Sequence, residues 1–434
     1  MHTLEALKSG SLKGSKHIKL ACGLTTFPEE LFSLADTLEI LDLTDNALST
    51  LPEHFHTFTQ LKILFLSNNA FTHIPAVLSK CTSLSMFGIR NNHIDTLDEN
   101  VLPTNLRWLI LTDNHLKTLP HSIGQLEKLQ KCMLSGNKLE SLPKSLAHCK
   151  QLELLRISAN RLTTLPLWLL AMPKLSWLAY SGNPFCEKHP SIDTPIKEIP
   201  WRELEIKELL GEGASGLVYR AIWQDKEVAV KIFKGAMTSD GLPQEEMDIN
   251  IAMGQHPNLI DVLAKISDHP EGKDVLILEL IPSHYFNLGL PPTFETCTRD
   301  VYPDGFTLSY DTVLHILKGI ASAASHMHNR GIMHGDFYAH NIMIDTRGHS
   351  ILGDFGGASY FEPTKQTIKQ GLERLEVRAF ACLVEELLLL CKEDKTNKEA
   401  LIQLKTECLT SDTKQRPLFK TIMQKLEYIS PSIS

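Results

Sequence analysis

The 434-residue chain has no run of about 18 apolar residues, so nothing in it predicts a membrane-spanning helix. Its longest greasy stretch, near Leu383 to Cys391, is broken by Glu385 and Glu386 and reads as a buried amphipathic helix. The first ten residues place an acid and a base too early for the apolar core of a signal peptide. A strong charge bias is also missing. The 43 Lys+Arg against 51 Asp+Glu give a net −8, which argues against a general nucleic-acid or anionic-membrane binder. No C-x-x-C pair occurs among the nine cysteines, which excludes a zinc knuckle and gives no sign of a disulfide scaffold. Thiols scattered in this way suit a reducing cytosol and predict a cytoplasmic protein. The histidine pairs His54/His56 and His326/His328 read as surface or helix residues rather than metal ligands. What remains, 43% hydrophobic and 22% charged residues, is a globular composition long enough for two or three domains.

The first half is periodic. Asn46, Asn69, Asn92, Asn114, Asn137, Asn160 and Asn183 recur at steps of 23, 23, 22, 23, 23 and 23 residues. Each sits in a frame L-x-x-L-x-L-x-x-N-x-L-x-x-L-P, seen cleanly from Leu106 through Leu109, Leu111, Asn114, Leu116 and Leu119 to Pro120. A degenerate copy spans about Ile18 to Thr37, with Leu20, Leu24, Phe27 and Pro28. The frame resembles the leucine-rich repeat, with about eight copies over residues 18–186. Leucines at positions 1, 4 and 6 point inward, and one coil cannot bury them alone. The asparagine amide can bond backbone groups that neighbouring coils leave unpaired. Cys132 stands at a leucine position and reads as core.

Side chains alternate along a strand, so positions 3 and 5 face outward on a concave surface. These hold Ile40, Ile63, Met86, Trp108, Leu154 and Trp177, with Phe65 and Ile110 beside them. So apolar a row predicts an interaction surface, for a protein partner or for this chain's own second half, with Trp108 and Trp177 as anchors. Pro184, Pro190, Pro195 and Pro200 then mark a stiff linker.

From Trp201 the pattern changes. Gly211, Gly213, Gly216 and Val218 form G-x-G-x-x-G-x-V, and Val228-Ala229-Val230-Lys231 follows 13 residues on. Further along come Leu278-Glu279-Leu280-Ile281, then His334-Gly335-Asp336, then Asn341 five residues after Asp336, then Asp354-Phe355-Gly356 and Gln415-Arg416-Pro417. The order and spacing resemble a protein kinase of the tyrosine-kinase-like group over about residues 201–429. The resemblance implies ATP and Mg2+ as cofactors. Gly211, Gly213 and Gly216 would cover the phosphates, Val218 and Ala229 would sandwich adenine, and Met343 would floor its pocket. Glu279 and Ile281 would bond adenine through backbone groups. Lys231 would hold the α- and β-phosphates, fixed by Glu246 on a helix ending at Gly254, with Glu245 as the fallback. Asp336 would take or orient the acceptor's proton, and Asn341 and Asp354 would ligate Mg2+.

Three departures qualify this. Gly335 replaces the loop arginine that pairs with a phosphorylated activation loop. Tyr338 and His340 stand where serine/threonine kinases carry lysine and tyrosine kinases arginine. No Ala-Pro-Glu follows, and only 22 residues separate Asp354 from Glu376, which aligns with the start of the family's D-x-W-S-x-G helix. Ser359, Tyr360, Thr364 and Thr367 in this short segment are candidate autophosphorylation sites. Two alternatives remain open: a small-molecule phosphotransferase of the aminoglycoside or choline kinase type, and a catalytically dead scaffold.

The expected fold is multidomain, α/β and α+β. It comprises a cap over 1–17, a leucine-rich repeat solenoid over 18–186, a proline-rich linker over 187–200 and a bilobal protein kinase-like fold over 201–434. The expected reaction is phosphoryl transfer from ATP to a protein serine or threonine, with the repeats recruiting a substrate or restraining the kinase.

Overall fold

The computed structural model describes residues 2–186, 196–235, 237–238, 240–392 and 395–429. Most of the expected linker, including Pro190 and Pro195, lies outside them. The chain divides into two compact units, Met1–Lys174 with Asn183–Phe185, and Leu175–Gly182 with Cys186–Ser434.

The first unit opens with α1 (Leu4–Lys8), capped by the Thr3 hydroxyl, which accepts from the Ala6 amide. Seven three-residue strands follow: β1 (His17–Lys19), β2 (Ile40–Asp42), β3 (Ile63–Phe65), β4 (Met86–Gly88), β5 (Trp108–Ile110), β6 (Lys131–Met133) and β7 (Leu154–Arg156). Each pairs in parallel with the next, so equivalent frame positions stack. The central residues Leu41, Leu64, Phe87, Leu109, Cys132 and Leu155 are all at 0% exposure, as the alternation requires. Burial pushes the Cys132 thiol well above its ordinary pKa, which suits a core residue.

The asparagines hold the coils together. Asn137 donates through Nδ2 to the carbonyls of Leu111 and Leu134, both at 2.9 Å, and its Oδ1 accepts from the Leu116 amide at 3.1 Å. Asn69, Asn92, Asn114 and Asn160 repeat this pattern, one side chain satisfying groups on two coils. The residue before each asparagine turns the chain through positive φ, at Asp45, Asn68, Asn91, Asp113, Gly136, Ala159 and Gly182. Pro52, Pro75, Pro120, Pro143 and Pro166 each precede a short 3-10 turn, where a fixed φ and a missing N–H cost nothing.

The outward row is less exposed than expected. Ile63, Met86 and Leu154 are buried, and Ile40, Phe65, Trp108 and Ile110 are half-buried. The row partly covers itself. The Phe65 ring lies where a Cβ on Gly88 would stand, at 2.9 Å. Trp108 donates through Nε1 to Met133 Sδ, and the Lys131 ammonium sits 4.1 Å above its ring.

The second unit begins with the eighth frame's strand, β8 (Trp177–Ala179), then β9 (Glu198–Ile199), β10 (Glu205–Glu212), β11 (Gly216–Trp223) and β12 (Lys226–Phe233). After α2 (Pro243–Met253) come β13 (Val262–Ile266) and β14 (Val275–Glu279). These make a six-stranded sheet ordered β10-β11-β12-β14-β13-β9, antiparallel except where β9 joins β13. Val228, Val230, Ala264, Val275 and Ile277 form the core on one face.

The helical part holds β15 (Phe286–Asn287), α3 (Tyr310–Asn329), β16 (Ile332–Met333), β17 (Ile342–Ile344), β18 (Ser350–Leu352) and β19 (Ser359–Tyr360). It ends in α4 (Gln366–Leu390), α5 (Lys395–Cys408) and α6 (Phe419–Ile429). Here one expectation is corrected. Glu376 does not begin a helix but sits inside α4, which starts at Gln366. Residues 366–375 hold no proline, the one glycine, Gly371, is tolerated, and Leu372 and Leu375 bury fully, so the helix extends toward its N-terminus. Its other end is amphipathic as read from the sequence, with Leu387 at 0% and Leu389 at 82% exposure.

Candidate active site

A cleft of roughly 800 Å3 opens between the sheet and the helical part of the second unit. Gly211, Gly213, Gly216, Val218, Ala229, Lys231, Glu246, Glu279, Ile281, Met343 and Asp354 all line it. Strand pairing explains how. The hairpin of β10 and β11 carries the glycines, and β12 sets Ala229 opposite Leu278 and Lys231 opposite Leu276 of β14. Gly216 is obligatory, since a Cβ there would stand 2.6 Å from the Ile232 carbonyl oxygen. A Cβ on Gly211 or Gly213 would meet nothing, so those glycines leave room over the cleft rather than within the protein.

Helix α2 starts with Pro243 at its first turn and ends at Gly254, whose φ is +63°. That phase buries Glu246, whose carboxylate receives the Lys231 ammonium. Glu245 is half-buried instead, and desolvation and the nearby Asp248 raise its pKa. Glu246 Oε2 is buried without a donor among the described residues.

On the opposite wall, His334 fixes the loop that carries Asp336. Its Nδ1 accepts from the Asp336 amide at 3.2 Å, and its Nε2 meets the Gly353 carbonyl at 3.1 Å. Asn341 donates through Nδ2 to the Asp336 carbonyl at 2.8 Å and to Asp336 Oδ2 at 2.9 Å. This leaves the Asn341 amide oxygen for a cation. Asp354 has φ +52°, a conformation that costs energy and is usually kept where function requires it. Desolvation in the cleft raises its carboxyl pKa, the charges of Glu246 and Asp336 add to this, and Lys231 opposes it. Carboxylates thus outnumber the one facing ammonium. That fits a divalent cation held by Asp354, Asn341 and substrate phosphates, the usual manner of Mg2+.

Tyr338 and His340 do not supply the missing cationic side chains in the usual way. The Tyr338 ring is buried, 4.4 Å from the Trp177 ring and within 5° of parallel. His340 Nδ1 lies 2.8 Å from Asp300 Oδ1. Burial lowers the His340 pKa, but the Asp300 hydrogen bond and the charges of Asp300, Asp336 and Asp354 outweigh it and hold it above 6.5.

Gly335 has φ +72°, and a Cβ there would stand 2.3 Å from the Gly357 oxygen and 2.7 Å from the Leu178 oxygen. An arginine cannot occupy this position. The Gly335 amide donates instead to Glu376 Oε1 at 2.6 Å, and Glu376 Oε2 meets His328 Nε2 at 2.7 Å. Of the candidate modification sites, Ser359 and Tyr360 are buried, while Thr364 and Thr367 are exposed. Arg416 bonds the carbonyls of Thr410 and Arg374, and burial with the nearby Arg378 brings its pKa down to about 10.

Sequence reasoning missed Asp240 and Thr238, which also line the cleft, and the roles of Asp300 and Trp177 beside the loop. None belongs to a spaced motif that could have marked it.

The family model for the protein kinase domain matches residues 204–379, and that for the leucine-rich repeat matches 36–94 and 104–162. A Dictyostelium discoideum protein named as a LIM domain-containing serine/threonine-protein kinase is 25% identical over 276 residues, covering 55% of this chain and 41% of that protein. The Arabidopsis thaliana serine/threonine-protein kinase AtPK1/AtPK6 is 29% identical over 169 residues, 37% of this chain and 32% of its own. A serine/threonine-protein kinase/receptor of Acanthamoeba polyphaga mimivirus is 28% identical over 162 residues, 37% of this chain and 9% of its own. The chain therefore spans less than half the length of these curated relatives. With both matches in place, the protein belongs to those that join an N-terminal leucine-rich repeat region to a C-terminal protein kinase domain.

Proposed function

We propose that the protein transfers the γ-phosphoryl group of Mg·ATP to a serine or threonine hydroxyl of a protein. The observation that carries this reading is one cleft lined by Lys231, paired with Glu246, and by Asp354, with Asp336 and Asn341 joined on the adjoining loop. The relatives' names as serine/threonine kinases support the acceptor class. Lys231 holds the α- and β-phosphates. Asp354 and Asn341 would hold Mg2+, which when bound would supply charge neutralisation at the phosphates. Asp336 orients the acceptor hydroxyl and takes its proton as the oxygen bonds to the γ-phosphorus and the bond to the β-phosphate oxygen breaks, leaving ADP.

The kinase is of the type without the loop arginine and has a shortened activation segment, since α4 begins 12 residues after Asp354. The domain limits are 1–17, 18–186, 187–200 and 201–434. The repeats recruit a substrate or regulate the kinase. Eight buried cysteines, no helix long and apolar enough to cross a membrane among the described residues, and the modest net charge support a cytoplasmic place without nucleic acid.

The short segment also favours a second reading, a small-molecule acceptor, because little chain is left to cradle a peptide. Labelled ATP with Mg2+, a generic protein substrate and an aminoglycoside or choline arm tests both. Labelled protein is expected, with Asp336→Ala reducing the rate by roughly 10²–10⁴. Equal labelling by the variant, or label in the small molecule alone, overturns the protein kinase reading.

A further inference from the structure

The eighth repeat frame departs from the other seven. Residues Leu175–Gly182 group with the kinase unit, and Trp177 is 1% exposed there. Four residues of this segment make contacts with the rest of the unit. The Ser176 hydroxyl accepts from Arg378 Nη1 of α4 at 2.7 Å. Trp177 donates through Nε1 to the Phe337 carbonyl at 3.1 Å and stacks on Tyr338. The Leu178 oxygen closes the space beside Gly335. The Tyr180 amide donates to the buried Ser359 hydroxyl at 3.0 Å. The strand therefore touches the catalytic loop on both sides of Asp336, the chain after Asp-Phe-Gly, and α4.

A loop next to a phosphate-binding site must be held in one conformation, because small misplacements of a catalytic group cost large factors in rate. Kinases with an arginine before the catalytic aspartate can tie the loop to a phosphorylated side chain. Gly335 cannot carry that arginine here, and Ser359 and Tyr360 are too buried to be modified in this state.

We propose that residues 175–182, led by Trp177, are a built-in strut that holds the catalytic loop in its transfer-competent form. Trp177 is a positioning residue. It acts on Asp336 through the Phe337 carbonyl and the Tyr338 ring and touches neither nucleotide nor acceptor. The Tyr338 side chain, absent from the usual pattern, is the matching surface for that strut. The proposal rests on the kinase reading above and adds what sets the loop.

The test uses the full chain with Trp177→Phe, Trp177→Ala, Tyr338→Ala and the double alanine variant. Trp177→Ala should lower kcat at least tenfold while KM for ATP stays within twofold. Trp177→Phe, which keeps a ring but loses the N–H, should fall between it and wild type. The double variant should be no slower than the worse single one, because both remove one contact. Hydrogen exchange at residues 334–341 should rise in Trp177→Ala while ADP binding, followed by calorimetry, is retained. If Trp177→Ala does not bind ADP, Trp177→Phe decides by the same readings. An unchanged or raised kcat, or additive losses in the double variant, overturns the proposal. If wild type labels no acceptor, the kinase reading fails by itself. The strut then stands or falls on exchange, and unchanged exchange at 334–341 overturns it.

Discussion

Asp354 concentrates the conflict of the site in one residue. It is held in a left-handed backbone conformation among carboxylates, and its pKa is raised by lost hydration and by Glu246 and Asp336. For an acid whose folded pKa lies above its unfolded value near 3.8, ionisation weakens the fold. The penalty begins as pH rises through the unfolded value and is complete above the raised folded one. Asp354→Asn should therefore raise the melting temperature of the nucleotide-free protein at pH 7 while abolishing transfer. The gain should fade as pH falls toward 4, as scanning calorimetry at several pH values would read. A lower melting temperature at pH 7 would contradict the assigned strain. Asp354 itself was legible in the sequence, because Mg2+ and phosphate chemistry demands certain residue types at fixed spacing. Its strain was not, because that depends on which carboxylates the fold brings near it.

At the scale of elements, the repeat coil shows how much a short pattern can specify. Asparagine, leucine and proline each have one local task, and all three are visible as a 23-residue rhythm. The turn before each asparagine is a subtler requirement. Six of the seven positions hold Asp, Asn or Gly, which tolerate positive φ, and the seventh is Ala159 at φ +51°. Ala159→Gly or Ala159→Asn should stabilise the repeat unit by about 0.5–1 kcal/mol, read as a shifted urea midpoint at constant slope. No gain would mean that the alanine pays its strain back in packing. Helix α4 shows the opposite case. The alignment put Glu376 near a helix start, but Gln366 to Leu375 contains no proline, and the burial of Leu372 and Leu375 carries the helix through Gly371. From the middle of that helix the Glu376 carboxylate accepts from the Gly335 amide.

At the scale of the molecule, the two halves differ in charge. Residues 1–195 carry 18 Lys+Arg against 17 Asp+Glu, and the rest carry 25 against 34. The acidic excess belongs to the half that lines its cleft with carboxylates. Mg·ATP should stabilise that half alone. At a nucleotide concentration 100 times its dissociation constant the gain is about 2.7 kcal/mol. Calorimetry should show a nucleotide-dependent transition and a second one that does not move. If both shift equally, the halves unfold as one, and the division at residues 175–182 has no thermodynamic counterpart.

The sequence by itself determined the repeat rhythm, the succession of a leucine-rich repeat region and a protein kinase domain, and the spaced residues that line the cleft, because each answers to local spacing or to obligatory chemistry. Only the tertiary structure decided why Gly335 excludes a side chain, which acid meets Lys231, how far the apolar row of the repeats is covered, and that the eighth strand packs on the loop around Asp336. Those facts depend on surfaces distant in sequence. Trp177 and Tyr338 lie 161 positions apart, and no pattern along the chain links them before folding stacks their rings.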